Sequence, residues 1–269
     1  MRRLRLQMMA GGSIPLDPDA QAFLTAAGIT NLTIITAVNT LVLDLKGYGV
    51  WTKMKAIYPF VGGTASTHKF NLKDPQDTNA AFRLQFVGGW THSATGALPN
   101  GTNAYANTFL TPFTSLFQNS AHLSYYSRTN FLIGGMDIGV FDSATFIGTH
   151  LGISYSGNLG QMRARLNSST PSTTYTPTNT GGLFSISRIA AASFKGYRNG
   201  ASQFTQLSST LSPPNFPIYL GAIDLSSVAS DYSNKESALA SIGDGFDDTE
   251  MANFYTAVQA FQTTLGRQV

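Results

Sequence analysis

The residues of this chain best suited to acid–base or metal chemistry are its four histidines, His68, His92, His122 and His150. No two of them stand four residues apart, the spacing that lets one helical face hold a zinc ion. The sequence also has no Gly-x-Ser-x-Gly motif and no pattern typical of a Ser–His–Asp triad. We therefore expect ordinary hydrogen-bonded histidines, and we predict neither a metal site nor nucleophilic catalysis.

The acidic residues are scattered, whereas glycoside hydrolysis needs two carboxyl groups about 5–10 Å apart with different pKa values. Asp74 and Asp77 flank Pro75 and predict a turn. A second acidic group lies near the C-terminus and consists of Asp244, Asp247, Asp248 and Glu250. A turn and a helix cap explain this group better than an EF-hand calcium loop does. We predict a non-enzymatic protein without a cofactor. A polysaccharide-degrading enzyme stays an alternative because loop carboxylates can converge in space, and no residue is identified as a ligand for loop-bound calcium.

Sugar binding needs an aromatic platform with a few amide or hydroxyl partners. The candidate ligand-binding residues are Trp90, Tyr125, Tyr126 and Tyr197, with Tyr105, Tyr155 and Tyr175 available in the same Asn-rich setting. Tyr125 and Tyr126 are neighbours on one predicted strand, so their side chains point to opposite faces. We expect at most one of the two to be buried.

The composition favours short strands joined by polar turns. Only 12% of the 269 residues are charged and 42% are hydrophobic, while no cysteine is present for disulfides or thiolate chemistry. The net charge of +3 comes from Arg2, Arg3 and Arg5, without which the remaining basic and acidic residues balance. Because a phosphate-tracking surface needs several basic residues on one face, we do not expect the main body to bind nucleic acid.

Residues 1–12 form a basic arm. Arg5 and Gln7 interrupt its apolar residues before a signal-peptide core can form, so we predict no secretion signal. No stretch of the chain approaches the roughly 20 apolar residues that span a bilayer. The arm is either disordered or, through Arg2, Arg3 and Arg5, an anchor onto another protein.

Two helices are predicted after the arm. Asp17-Pro18 is an N-cap followed by the residue best suited to the first helical position, and Gly28 ends the helix. A second helix begins after Thr30 or Asn31 and ends at Gly47 or Gly49. An extended segment follows over residues 51–61.

From about residue 67 the apolar period changes to two, which predicts strands with one solvent-exposed face. One example is the strand in which Met162, Ala164 and Leu166 alternate with Gln161, Arg163 and Arg165. Asn199-Gly200 predicts a tight hairpin turn, since both residues readily adopt positive φ. The Ser/Thr/Pro-rich residues 167–182 predict a surface loop. Many short strands without intervening helices point to a sandwich.

The C-terminus predicts a capped helix. Asp247 and Glu250 have the spacing of a capping box, and an apolar face follows before Gly266-Arg267 ends the helix. The residues of that face are Met251, Phe254, Tyr255, Val258, Phe261 and Leu265. We expect this helix to pack on the sandwich or on a neighbouring subunit.

Two sets of phrases resemble known proteins. Phe194–Ala201 and Pro217–Ile223 resemble laminin-G-like or concanavalin-A-like lectin domains, which implies a jelly roll over roughly residues 80–245. Longer phrases covering most of the chain from about residue 17 resemble a family of bacteriophage virion proteins: Leu43–Gly63, Gly96–Ala106, His122–Ser127, Ser241–Gly245 and Gln259–Arg267.

The predicted fold class is mainly β: a two-sheet antiparallel jelly-roll sandwich with an N-terminal helical segment and a C-terminal helix. The predicted divisions are a basic arm (1–12), a helical and extended segment (13–63), the lectin-like sandwich (64–246) and the capped helix (247–269).

The resemblance implies a virion component that carries a lectin-like sandwich. We expect it to form a homo-oligomer and to bind other virion proteins. Two roles stay open. A tail, spike or fibre protein would attach to a host-surface glycan. A shell, vertex or decoration protein without a receptor role would bury both helix stripes, over residues 34–45 and 251–265, against other virion subunits.

Overall fold

The computed structural model describes residues 15–132, 134–155, 157, 160–172 and 175–269, and the arginines of the basic arm lie outside this range. Within it the helices are α1 (Pro18–Ala26), α2 (Leu32–Gly47), α3 (Ala65–His68), α4 (Pro112–Ser115) and α5 (Asp248–Thr264). The strands are β1 (Met54–Tyr58), β2 (Gln85–Val87), β3 (Trp90–Ser93), β4 (Gly96–Pro99), β5 (Tyr105–Asn107), β6 (Ala121–Ser127), β7 (Ile138–Asp142), β8 (Ile147–Gly152), β9 (Arg163–Ser168), β10 (Gly182–Ala190), β11 (Ser193–Arg198), β12 (Ala201–Leu207), β13 (Tyr219–Leu220), β14 (Ile223–Leu225), β15 (Val228–Ser230) and β16 (Ser237–Gly243).

The strands form two sheets. The first has the order β12-β11-β10-β6-β16-β4-β3, with β1 pairing the remaining part of β16. The second has the order β15-β14-β7-β13-β5-β2, and β8 followed by β9 extends it from β7. Neighbouring strands are antiparallel except for β7 and β14, which run parallel with Asp224 opposite Val140. The predicted two-sheet sandwich is confirmed, and this parallel pair is the exception to its antiparallel pattern.

The core lies in two layers, one on each side of the first sheet. Apolar residues of both sheets, among them Leu123, Ile138 and Ala164, fill the space between the sheets. On the opposite face of the first sheet, α1, α2 and α5 pack their apolar residues against side chains such as Leu239. The order of layers is therefore helices, first sheet, second sheet.

The helical layer corrects two expectations. The prediction of one exposed face is wrong for the strand around Met136, Ile138 and Val140, because residues 136–140 are all buried. Every residue of β6 and β16 is buried as well, since helices cover the face that points away from the second sheet. The apolar stripes over residues 34–45 and 251–265 pack within this chain, against side chains on one face of the first sheet. The expectation that the stripes are buried against neighbouring virion subunits is thus wrong, and the packing of α5 on the sandwich is confirmed.

Local signals set the element ends as predicted. Asn31 caps α2 by accepting hydrogen bonds from two backbone amides. Asp247 and Glu250 form a reciprocal capping box at the start of α5, with 2.8 and 2.9 Å bonds. Asn199 and Gly200 have φ of 49° and 76° in the turn joining β11 to β12, which are the left-handed conformations that a type I′ hairpin requires.

The surface-loop prediction for residues 167–182 holds only in part. Asn167 and Ser168 belong to β9 and are fully buried, and Thr180 is also buried. Asn167 Nδ2 donates to the Gln118 carbonyl at 3.0 Å, so its polarity is satisfied inside the protein. In the described ranges, no helix is long and apolar enough to cross a membrane.

Candidate ligand site on the outer face of the second sheet

A cavity of about 390 Å³ lies on the face of the second sheet that points away from the sandwich core. We call it the outer-face cavity. Its walls include Phe141, Phe146, His150, Tyr155, Arg163 and Arg165, and Asp231 lies at its rim. Apart from Asp231, which follows β15, these residues come from the neighbouring strands β7, β8 and β9 and the segments that follow β7 and β8.

Strand alternation places the side chains on this face. Ala164 and Leu166 of β9 point into the core, so Arg163 and Arg165 between and beside them point outward. In the same way Leu151 of β8 faces the core and His150 faces the cavity. The register aligns Gly139, His150 and Arg165 in a row across β7, β8 and β9.

Two glycines leave room for this row. A Cβ atom on Gly139, whose φ is 148°, would lie 2.2 Å from Cβ of His150. A Cβ atom on Gly148 would lie 2.8 Å from Nδ1 of His150 and 3.0 Å from Cδ of Arg165. The distances of 2.2 and 2.8 Å are shorter than real Cβ contacts, so a side chain at Gly139 would force β8 to shift at His150, and one at Gly148 would displace the imidazole.

The two arginines stack on aromatic rings. The guanidinium carbon of Arg165 lies 4.7 Å from the Phe141 ring centroid, and that of Arg163 lies 4.4 Å from the Tyr155 ring centroid. Neither side chain makes a hydrogen bond or an ion pair with any described residue, and Nε of Arg165 is buried without a partner. The other described arginines each have a polar partner: Arg83, Arg128, Arg188, Arg198 and Arg267.

His150 is buried beneath this surface, with 1% of its area exposed. Neither ring nitrogen has a hydrogen bond of good geometry to a described residue. Burial, together with Arg165 and Arg163, lowers the pKa of His150 well below its usual range, while a weak backbone interaction with Val140 acts in the opposite direction. His150 is therefore neutral at physiological pH, and the expectation of an ordinary hydrogen-bonded histidine is wrong for it.

The other histidines fit that expectation. His122 Nδ1 lies 2.7 Å from the Asp244 carbonyl and its Nε2 lies 3.1 Å from Ser241 Oγ. His68 and His92 bond to one another through their Nδ1 atoms at 2.9 Å. Because His68 Nε2 accepts from the Gly63 amide, its Nδ1 carries the proton that it donates to His92.

None of the predicted ligand residues lines the outer-face cavity. Trp90 is half-buried on β3, where Nε1 donates to the carbonyls of Val87 and Tyr105 at 3.1 and 3.2 Å. Tyr197 is buried, and its hydroxyl donates to Asp248 Oδ1 at 2.8 Å beside the start of α5. Arg2, Arg3 and Arg5, the predicted anchor, fall outside the described residues.

Tyr125 and Tyr126 are both fully buried, so the expectation that at most one would be buried is wrong. The side chains do point to opposite faces, but Tyr125 packs between the sheets and Tyr126 packs under the helices. Their hydroxyls donate to the Lys235 carbonyl at 2.7 Å and to Gln259 Oε1 at 3.0 Å. Neither ring offers a ligand platform in this conformation.

The sequence carried part of the signal for the outer-face cavity. Alternation in β9 already placed Arg163 and Arg165 on the face opposite the core, and Tyr155 was among the available aromatics. His150 and Phe141 join the cavity because of the strands that lie next to β9, and no local sequence motif predicts that pairing.

No protein-family model matches this chain, and no curated protein matches it. Several solved structures are similar. One is domain 4 of AbnA, a GH43 extracellular arabinanase from Geobacillus stearothermophilus in complex with arabinotriose, with 12% identity over 75% of this chain and 98% of that chain and a TM-score of 0.48.

Two others are more partial. The botulinum neurotoxin serotype D binding domain has 10% identity over 77% of this chain and 52% of that chain, with a TM-score of 0.46. The Trypanosoma rangeli sialidase in complex with sialic acid has 13% identity over 63% of this chain and 28% of that chain, with a TM-score of 0.44.

Proposed function

We propose that this chain is a non-enzymatic bacteriophage virion protein, part of a tail, spike or fibre, whose lectin-like sandwich attaches the particle to a saccharide on the host surface. The observation that carries the binding role is the outer-face cavity. It combines the aromatic rings of Phe141, Phe146 and Tyr155 with two arginines that have no polar partner among the described residues. Aromatic walls with a few polar groups are what sugar sites use.

Exposure supports a surface role for this cavity. Phe146 is 65% exposed at its edge, and Tyr155 and Arg163 are half-buried. A ring this exposed next to a concave surface can stack on a sugar that enters from solvent. The cavity is therefore suited to shallow recognition, in which weak single sites gain strength from many copies on one particle.

The lining favours binding over hydrolysis. Asp231 is the one carboxylate among the cavity's described residues, whereas hydrolysis of a glycosidic bond needs two. The virion role is supported by the phrases that resemble phage virion proteins, and the basic arm with Arg2, Arg3 and Arg5 would join the protein to other virion subunits, in a homo-oligomer.

A glycan array probed with the full chain and with Tyr155→Ala tests the binding role. We expect the wild type to bind a subset of glycans and the variant to lose them. Tyr48→Ala is the matched control, because Tyr48 is an exposed tyrosine at the end of α2, in the helical layer. Failure of the wild type to bind any glycan, or equal loss in both variants, would contradict the proposal.

A reconstruction of the intact particle tests the virion role. The proposal expects the arm to be held by other virion subunits and the outer-face cavity to face solvent. A chain buried among shell subunits at both ends would instead make it a shell component, and its absence from the particle would remove the virion role.

A further inference from the structure

Resting on the proposed function, we infer that the outer-face cavity binds an acidic saccharide, one whose carboxylate or sulfate group lies against Arg163 and Arg165. The sugar ring would stack on the neighbouring aromatic walls.

The first step is the unpaired charge. Arg165 is only 9% exposed, yet its guanidinium faces no carboxylate and makes no hydrogen bond within the described residues. Its Nε–H group is buried without an acceptor, which is costly unless a partner arrives. Burial, and then the nearby Arg163, lower the pKa of Arg165 to about 10, so it still carries its charge at neutral pH.

The second step is the spacing of the two cations. Arg163 and Arg165 are two residues apart on one strand. Their side chains therefore lie side by side on the same face, with Cα atoms about 7 Å apart. A single oxyanion between them would satisfy both guanidinium groups and relieve their mutual repulsion. The stacking on Tyr155 and Phe141 holds the two groups in place before a ligand arrives, which reduces the entropy lost on binding.

The third step concerns the rest of the ligand. Asp231 is exposed at the rim, where its carboxylate would accept hydrogen bonds from hydroxyl groups and would repel a second anion. His150 adds no charge because its pKa is lowered by burial. A site with two cations and one rim acid suits a ligand with hydroxyls and one acidic group, and it does not suit a polyanion, which requires many basic residues.

The experiment compares two saccharides that differ in one group, methyl glucuronoside and methyl glucoside, each displayed on a polymer, with glucose 6-sulfate as a third probe. Binding is measured for the wild-type full chain. We expect one of the acidic probes to bind at least about tenfold more tightly than the glucoside. Which of the two acidic probes binds more tightly shows whether the cavity prefers a carboxylate or a sulfate group.

The variants locate the effect. Arg163→Gln, at a half-buried position, should remove most of the preference for the acidic probe, and Arg163→Lys should retain part of it. Arg165→Gln should also remove most of the preference for the acidic probe. Its melting temperature is compared with that of the wild type to exclude unfolding. Arg83→Gln, which removes a cation paired with Asp77 elsewhere, should leave the preference unchanged.

Equal binding of acidic and neutral probes, with both lost in Tyr155→Ala, would overturn this inference and leave the proposed saccharide-binding role intact. An acidic preference that survives Arg163→Gln and Arg165→Gln would also overturn it. No binding of the wild type to any glycan on an array would instead remove the proposed function itself.

Discussion

The Arg165 guanidinium carbon, on β9, lies 4.7 Å from the ring centroid of Phe141, on β7. The two strands are separated by β8, whose His150 lies between them in the register. One aromatic ring thus fixes the direction of a cation two strands away.

This contact predicts a change in affinity without a change in charge. In Phe141→Leu the arginine keeps its charge but loses its orienting ring, so we expect binding of the preferred acidic saccharide to weaken roughly threefold to tenfold. Phe113→Leu, an exposed phenylalanine on α4, is the control. Titration calorimetry compares the two, and an unchanged affinity in Phe141→Leu would show that the stack does not position Arg165.

A buried ion pair predicts a large stability effect. Lys235 Nζ lies 3.3 Å from Asp137 Oδ1, and both side chains are completely buried. Lys235→Met leaves the Asp137 charge without its cation, so we expect a loss of about 3–5 kcal/mol in the free energy of unfolding. Lys195→Met breaks the exposed pair with Asp248 and should cost at most about 1 kcal/mol. Urea denaturation measures both, and similar losses would contradict the prediction.

Asp224 predicts a pH dependence. Burial raises its pKa to about 6, although the Ser227 amide and the Tyr219 hydroxyl act against the shift. The carboxyl group of an unfolded aspartate has a pKa of about 3.9. Between about pH 4 and pH 6 the folded chain therefore holds a proton that the unfolded chain has released. The stability contributed by Asp224 therefore falls as pH rises through that window.

Asp224→Asn removes this titration and can keep the 2.6 Å bond from the Ser227 amide. We expect the variant to be about 1–2 kcal/mol more stable than the wild type near pH 7.5 and about equal to it near pH 4. Thermal melts across the range check this. A difference that does not vary with pH would mean that Asp224 has the same pKa in the folded and unfolded chain.

Hydrogen bonds from Tyr126 hold the C-terminal end of the chain, so their loss should have a local effect. The Tyr126 hydroxyl donates to Gln259 on α5 and accepts from the Val269 amide at 3.0 Å. Tyr126→Phe should cost about 1 kcal/mol and should speed hydrogen exchange at residues 259–269, with Tyr48→Phe unchanged. Exchange that is equally slow in Tyr126→Phe would show that other contacts hold this end.

Local chemistry made much of the fold predictable. Asp17, Asn31 and Asp247 cap their helices through short-range bonds, and Asn199-Gly200 sets its hairpin by backbone conformation alone. Such signals act within a few residues, so a sequence displays them directly.

Long-range pairing was not predictable in the same way. Tyr126 is buried because α5, more than a hundred residues later, covers the sheet. The outer-face cavity forms because β7, β8 and β9 are neighbours, which brings Phe141, His150 and Arg165 together. Alternation predicts which way a side chain points but not what it meets.

The most direct test of the central claim is a crystal structure of the full chain with the acidic saccharide that binds best. We predict that its carboxylate or sulfate lies within hydrogen-bonding distance of Arg163 and Arg165, with the sugar ring against Tyr155 or Phe146. A saccharide bound elsewhere on the sandwich, with the two arginines unchanged and unpaired, would contradict the account.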